Sequence, residues 1–122
     1  MASSPIPPPA PRFTAWIEQE RAWGSLAVEA IARLRRKLAV EQHGLDRFAA
    51  RMSLVELTGS VASWASGLGA ALGRAGHTEE AAQFDVSPPF AADASSADCD
   101  RLRDYVQARV DLLAQLLSRG RA

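Results

Sequence analysis

A basic segment between residues 33 and 51 holds the side chains of this sequence that are best suited to chemistry. It contains six cations and only two carboxylates. Arginine presents a planar fork of donors that matches phosphate, and lysine adds a point charge, so this pattern is suited to phosphates of nucleic acid or to anionic lipid headgroups. The candidate anion-binding residues are Arg33, Arg36, Lys37, Arg47 and Arg51.

An acidic segment between residues 75 and 100 offers those cations another role. It contains six carboxylates and no Lys or Arg. We favour the interpretation that the two segments lie near each other in the fold or are both solvated, in which case neither binds a ligand. Phe48 is the only aromatic residue between residues 33 and 51, which disfavours base stacking on single strands but leaves backbone contact, as in a small subunit of a ribonucleoprotein.

Residues that could support catalysis or bind a metal are few. Cys99 is the only cysteine, and it falls among apolar residues spaced by three and four, which is typical of a core thiol rather than a nucleophile. Neither His43 nor His77 has the Glu three residues before it that a helical di-iron site requires. We therefore predict no catalytic residue, no cofactor and no metal.

One pair of residues resembles a known family. Arg36 and His43, with six residues between them, have the Arg-x4–6-His spacing of the HEPN ribonucleases, which are helical bundles. Lys37 departs from the polar residue that usually follows this Arg, and an arginine-rich chain produces such a pair by chance. A HEPN-like ribonuclease is therefore our third hypothesis.

A row of small residues marks the middle of the chain. Between Arg51 and Arg74 the only charge is Glu56. Small side chains at every fourth position let another backbone approach closely, and Gly69 and Gly73 repeat this spacing on an adjoining face. The predicted partner-binding row is Gly59, Ser63, Gly67 and Ala71.

Apolar residues at three- and four-residue steps predict helices throughout the chain, and no segment alternates like a strand. The first helix should run from Thr14, as N-cap, to about His43, with Gly44 in a left-handed turn beyond it. The remaining predicted helices are a short piece over 46–52, a main helix over 54–73 capped by Ser53, a short helix over 78–84, and a last helix from Ser95 or Ser96 to Gly120. The sequence thus predicts an all-α protein, an antiparallel three- to four-helix bundle over 14–119.

The N-terminus has a different composition. Residues 1–12 contain five of the seven prolines, so residues 1–13 are predicted to be an extended or disordered arm. A preformed polyproline segment is suited to tether a partner.

These patterns favour a non-enzymatic interaction module: an adaptor, a chaperone-like subunit or a targeting domain of a larger assembly, with a protein partner or a homo-oligomer. The alternative is an anion-binding protein that uses the basic segment on nucleic acid or anionic membrane. Fourteen cations balance fourteen carboxylates, which argues against wholesale coating of nucleic acid. The single cysteine and the lack of a cleaved signal pattern favour the cytoplasm, with secretion by another route as the alternative.

Overall fold

A computed structural model of the chain describes residues 10–40, 44–84, 86 and 96–120. These residues form four α-helices and no strand, which confirms the predicted all-α bundle. The helices are α1 (Ala10–Val40), α2 (Gly44–Arg74), α3 (Thr78–Phe84) and α4 (Ser96–Gly120). The predicted bounds of α3 are correct, and so are the predicted ends of α4.

Contacts at the helix ends show that α1 runs antiparallel to both α2 and α4. Near the end of α1, Arg35 binds Asp100 at the start of α4, with 2.7 Å between Nε and Oδ1. Near the start of α1, the ring of Phe13 stacks on His77, just beyond α2, with 5.1 Å between ring centroids. Gly76 adopts a φ of 92°, a left-handed conformation that suits glycine, and turns the chain back so that α3 packs on α2.

The core lies where α1, α2 and α4 meet. At its centre the buried Trp64 of α2 packs on Trp23 of α1, with 5.2 Å between ring centroids, and edge-on against Phe84 of α3 at 6.4 Å. Residues of α4 that recur at three- and four-residue steps complete this core, as their spacing predicts; they include Cys99, Leu102, Val106, Val110, Leu113 and Leu117.

The first helix begins earlier than predicted. It starts at Ala10 rather than Thr14, so residues 10–13 are helical and not part of an extended arm. Pro11 does not prevent this, because the first turn of a helix leaves its N–H groups without intrahelical partners and a proline there loses no bond. The predicted end at His43, and the arm over residues 1–9, lie outside the described residues.

The second helix is continuous, which corrects two predictions. Gly44 is its first residue and not a left-handed turn, and Ser53 lies in its interior rather than capping a new helix. A continuous helix keeps Ala50 and Leu54, four residues apart, on one face, and both are buried in the core. None of the described helices has the length and apolarity needed to cross a membrane.

Candidate functional site

The side of α2 that faces away from the core carries a line of exposed, uncharged residues. We call it the outer stripe, and its members are Phe48, Met52, Val55, Gly59, Ser63, Ser66 and Ala70. Successive members are three or four residues apart, so the outer stripe turns by only about 40° over a length of about 33 Å. It is therefore a nearly straight strip along the helix.

One end of the outer stripe is formed by large apolar side chains and the other end by small ones. Phe48 is 60% exposed, and Met52 and Val55 are each 43% exposed. Of the five large apolar residues that are exposed in the described part of the chain, three lie here. From Gly59 onward the stripe contains only glycine, serine and alanine.

The predicted row of small residues only partly coincides with the outer stripe. A row spaced by four advances about 40° per step around a helix, so Gly67 lies about 80° from Gly59, and Ala71 turns further until it is half-buried. A Cβ built at Gly59 or at Gly67 would meet no atom within 4 Å. Within the described chain, these two glycines therefore have no close neighbour.

The adjoining glycines, Gly69 and Gly73, do have close neighbours in the chain. A Cβ built at Gly69 would lie 3.2 Å from Cβ of Phe84 and 3.5 Å from the carbonyl oxygen of Ala81. At Gly73 the nearest atom is Cβ of Ala81, at 3.8 Å. Gly69 therefore lets α3 approach α2 closely, as the spacing predicts, whereas the distance at Gly73 is an ordinary van der Waals contact.

Among the described glycines, Gly24 has the tightest surroundings, and its role is not among the sequence-based predictions. A Cβ built at Gly24 of α1 would lie 2.6 Å from Cγ2 of Val110 and 2.9 Å from Cζ2 of Trp64. Gly24 therefore lets α2 and α4 close on α1 at one level. The available signal was its place in the apolar stripe of α1, immediately after Trp23.

The structure brings three of the five candidate anion-binding residues together. Arg33, Arg36 and Lys37 line the α1 side of an open groove of about 830 Å³ between α1 and α2, which we call the basic groove. Among the described residues, no carboxylate forms an ion pair with any of the three. The α2 side of the basic groove includes Glu56, whose negative charge reduces the positive field in the groove.

The other two candidates lie elsewhere. Arg47 donates a hydrogen bond from Nη1 to the carbonyl oxygen of Leu38, 3.2 Å away. This bond gives a partner to one of the last carbonyl groups of α1, which lack partners within the helix. Arg51 is exposed and does not line the basic groove. The five residues therefore do not form one site.

Ion pairs occupy much of the acidic segment. Asp100 binds Arg35 of α1, and this guanidinium holds the pKa of the carboxyl below its ordinary value. Glu80 of α3 accepts a hydrogen bond from Nη1 of Arg119 at 2.7 Å, which lowers the pKa of Glu80 in the same way. The pair of Arg35 and Asp100 joins the basic segment to the acidic one. These charges tie helices together rather than forming an open site.

Cys99, the metal-ligating side chains and the HEPN-like pair are the remaining candidates for chemistry. Cys99 is fully buried, as predicted, and burial, with the nearby Asp100 and Asp98, raises the pKa of its thiol, so it is a poor nucleophile. No cluster of three or more metal-ligating side chains is found in the described ranges. Arg36 is exposed on α1, whereas His43 lies outside the described residues, so the HEPN-like pair stays a prediction.

No family model, no curated protein and no solved structure matches this chain.

Proposed function

We propose that this chain is a non-enzymatic helical interaction module that binds a helix of a protein partner along the outer stripe. The observation that carries this proposal is the alignment of Phe48, Met52 and Val55, exposed and uncharged, on one line of α2. The face of a helix that points away from the core ordinarily carries charged and polar residues.

The arrangement suits a helix better than another shape of partner. The outer stripe is straight, it is about six turns long, and its large side chains recur at three- and four-residue steps, as anchors of helix-to-helix contacts do. Gly59 and Ser63 leave room for a neighbouring backbone beside those anchors. A covering helix would remove the exposed apolar area from water, which is the main favourable term in such associations.

The test is site-specific photocrosslinking in the native host. A photoreactive amino acid replaces Met52, and in a matched control it replaces Leu26, an exposed apolar residue of α1 outside the outer stripe. Leu26 is 63% exposed, so random hydrophobic encounters should label it at least as well as Met52. We expect discrete adducts from Met52 and none of the same mass from Leu26. Equal patterns from both positions, or none from either, would contradict the proposal.

A second candidate function is anion binding, and the basic groove favours it. Arg33, Arg36 and Lys37 lie on one face of α1 without a described carboxylate partner. Binding that depends on these charges should weaken steeply as salt rises. The test measures retention of the wild type and of the triple variant Arg33→Glu, Arg36→Glu, Lys37→Glu on anionic vesicles and on duplex nucleic acid at low salt. Retention that the triple variant loses would support this function, and no retention of the wild type on either ligand would exclude it.

A further inference from the structure

The outer stripe is complementary in shape to a second copy of itself that runs in the opposite direction. Its members are spaced symmetrically about Gly59: the steps back to Phe48 are four, three and four residues, and the steps forward to Ala70 are the same. The large residues all lie on one side of Gly59 and the small ones on the other. The pairs that are equidistant from Gly59 are Val55 with Ser63, Met52 with Ser66, and Phe48 with Ala70.

We infer that the partner on the outer stripe is a second copy of this chain, with the two α2 helices antiparallel and crossing at Gly59. This inference rests on the function proposed above and names the partner. A two-fold axis at Gly59 sets each large side chain of one copy against a small residue of the other. The two glycines then lie at the crossing point, where the absence of Cβ permits the closest approach of the backbones.

A parallel pair does not have this fit. It would place Phe48 on Phe48 and Met52 on Met52 at one end, and serine and alanine on themselves at the other. The large pairs would hold the helices apart while the small residues faced a gap, and packing that leaves gaps forfeits contact energy. The antiparallel pair keeps a more even separation along its length.

Charge also favours the antiparallel arrangement. The positive N-terminal end of each α2 then lies beside the carbonyl end of the other, whereas a parallel pair sets like ends together. The only charged residue between Arg51 and Arg74 is Glu56, and the two copies of Glu56 lie six residues apart along the axis, about 9 Å, which avoids a like-charge contact.

The outer stripe is small for a protein–protein interface. A strip about 33 Å long on a helix about 10 Å wide has a footprint of roughly 330 Å² on each copy. A standard stable interface buries about 800 Å² per partner. The dimer should therefore be weak, and the fraction of dimer should rise with protein concentration.

Disulfide trapping with variants that each carry one introduced cysteine tests the pairing and its direction. Val55→Cys and Ser63→Cys are mixed, one of them carrying an affinity tag, and oxidised mildly; the buried Cys99 is present in every sample and in the wild-type control. In the antiparallel dimer Val55 lies beside Ser63 of the other copy. Two copies of Val55 are eight residues apart along the axis, about 12 Å, which is beyond the reach of a disulfide. We expect the mixed disulfide from this pair and from Met52→Cys with Ser66→Cys, and loss of trapping in the mismatched mixture of Val55→Cys with Met52→Cys.

Other outcomes would overturn the inference. Efficient trapping of Val55→Cys with itself would indicate a parallel pair. Trapping no better than that of the wild type would show that the chain does not associate through this stripe. If photocrosslinking at Met52 then still captured a different polypeptide, the interaction module would stand and the second copy as its partner would be wrong.

Discussion

Gly24 and Gly59 are both glycines in the middle of long helices, but their surroundings are opposite. At Gly24 an added Cβ would fall 2.6 Å from Val110 and 2.9 Å from Trp64, so the missing methyl group is what lets three helices meet. At Gly59 an added Cβ would meet nothing within 4 Å. A mid-helix glycine costs about 1 kcal/mol relative to alanine, and of these two glycines only Gly24 has contacts within the described chain that offset the cost. The cost at Gly59 is explained if its neighbour is another molecule.

The largest effect is expected from Gly24→Ala. The new methyl group must displace Val110 or Trp64, both of which are held in the core, so overpacking should outweigh the gain in helix propensity and lower the free energy of unfolding by about 1–2 kcal/mol. Urea denaturation followed by circular dichroism measures this change. A Val110→Ala background supplies the control, because removing Cγ2 makes room and Gly24→Ala should cost less there. An increase in stability on the wild-type background would contradict the close approach.

Gly59→Ala should change the free energy of unfolding in the opposite direction and stabilise the fold. In dilute solution, where a weak dimer has dissociated, the substitution should raise the free energy of unfolding by up to about 1 kcal/mol through helix propensity alone. The same denaturation experiment at low protein concentration checks it. A loss of stability there would mean that Gly59 packs against its own chain.

The effect of Gly69→Ala on the free energy of unfolding should lie between those of Gly24→Ala and Gly59→Ala. The added methyl group would lie 3.2 Å from Cβ of Phe84, so α3 must shift by a few tenths of an ångström, and this strain offsets the gain in helix propensity. We expect a change within about 0.5 kcal/mol of zero. A change as large as that of Gly24→Ala would show that α3 cannot move relative to α2.

The smallest effect concerns pH. The folded-state pKa values of Glu80 and Asp100 are lowered by Arg119 and Arg35, so each pair stabilises the fold above the carboxyl's ordinary pKa, which is 4.5 for Glu80 and 3.8 for Asp100. This contribution should be lost as the pH falls through the lowered values. Thermal melts between neutral pH and pH about 3 should show a shallower decline in Glu80→Gln than in the wild type. Parallel curves for the two proteins would show that the pair of Glu80 and Arg119 does not stabilise the fold.

The sequence was sufficient for α3 and α4 because their signals are local. Thr78 and the two acids after it predict the start of α3, and the apolar spacing of α4 predicts its core residues. The start of α1 lies earlier than the proline-rich composition predicts, because Pro11 falls in the first turn, where a proline is compatible with a helix.

The site was less predictable because it depends on the rotation of α2 within the bundle. The charge-free stretch after Arg51 was visible, but a row spaced by four cannot show that Gly67 turns away from Gly59 while Ser66 stays in line with it. The basic segment could not reveal that Arg35 binds Asp100, since those residues are far apart in the chain. Tertiary contacts of this kind have no local signature.

The most direct test of the central claim, that the outer stripe binds a second copy, is sedimentation equilibrium over a wide range of protein concentration. The wild-type mass should rise from the 13.1 kDa of one chain toward twice that value. Met52→Glu places a charge in the stripe and should stay at the mass of one chain, whereas Leu26→Glu, on α1, should behave as the wild type. A wild-type mass that stays at 13.1 kDa at every concentration, or a loss of association in Leu26→Glu but not in Met52→Glu, would contradict the claim.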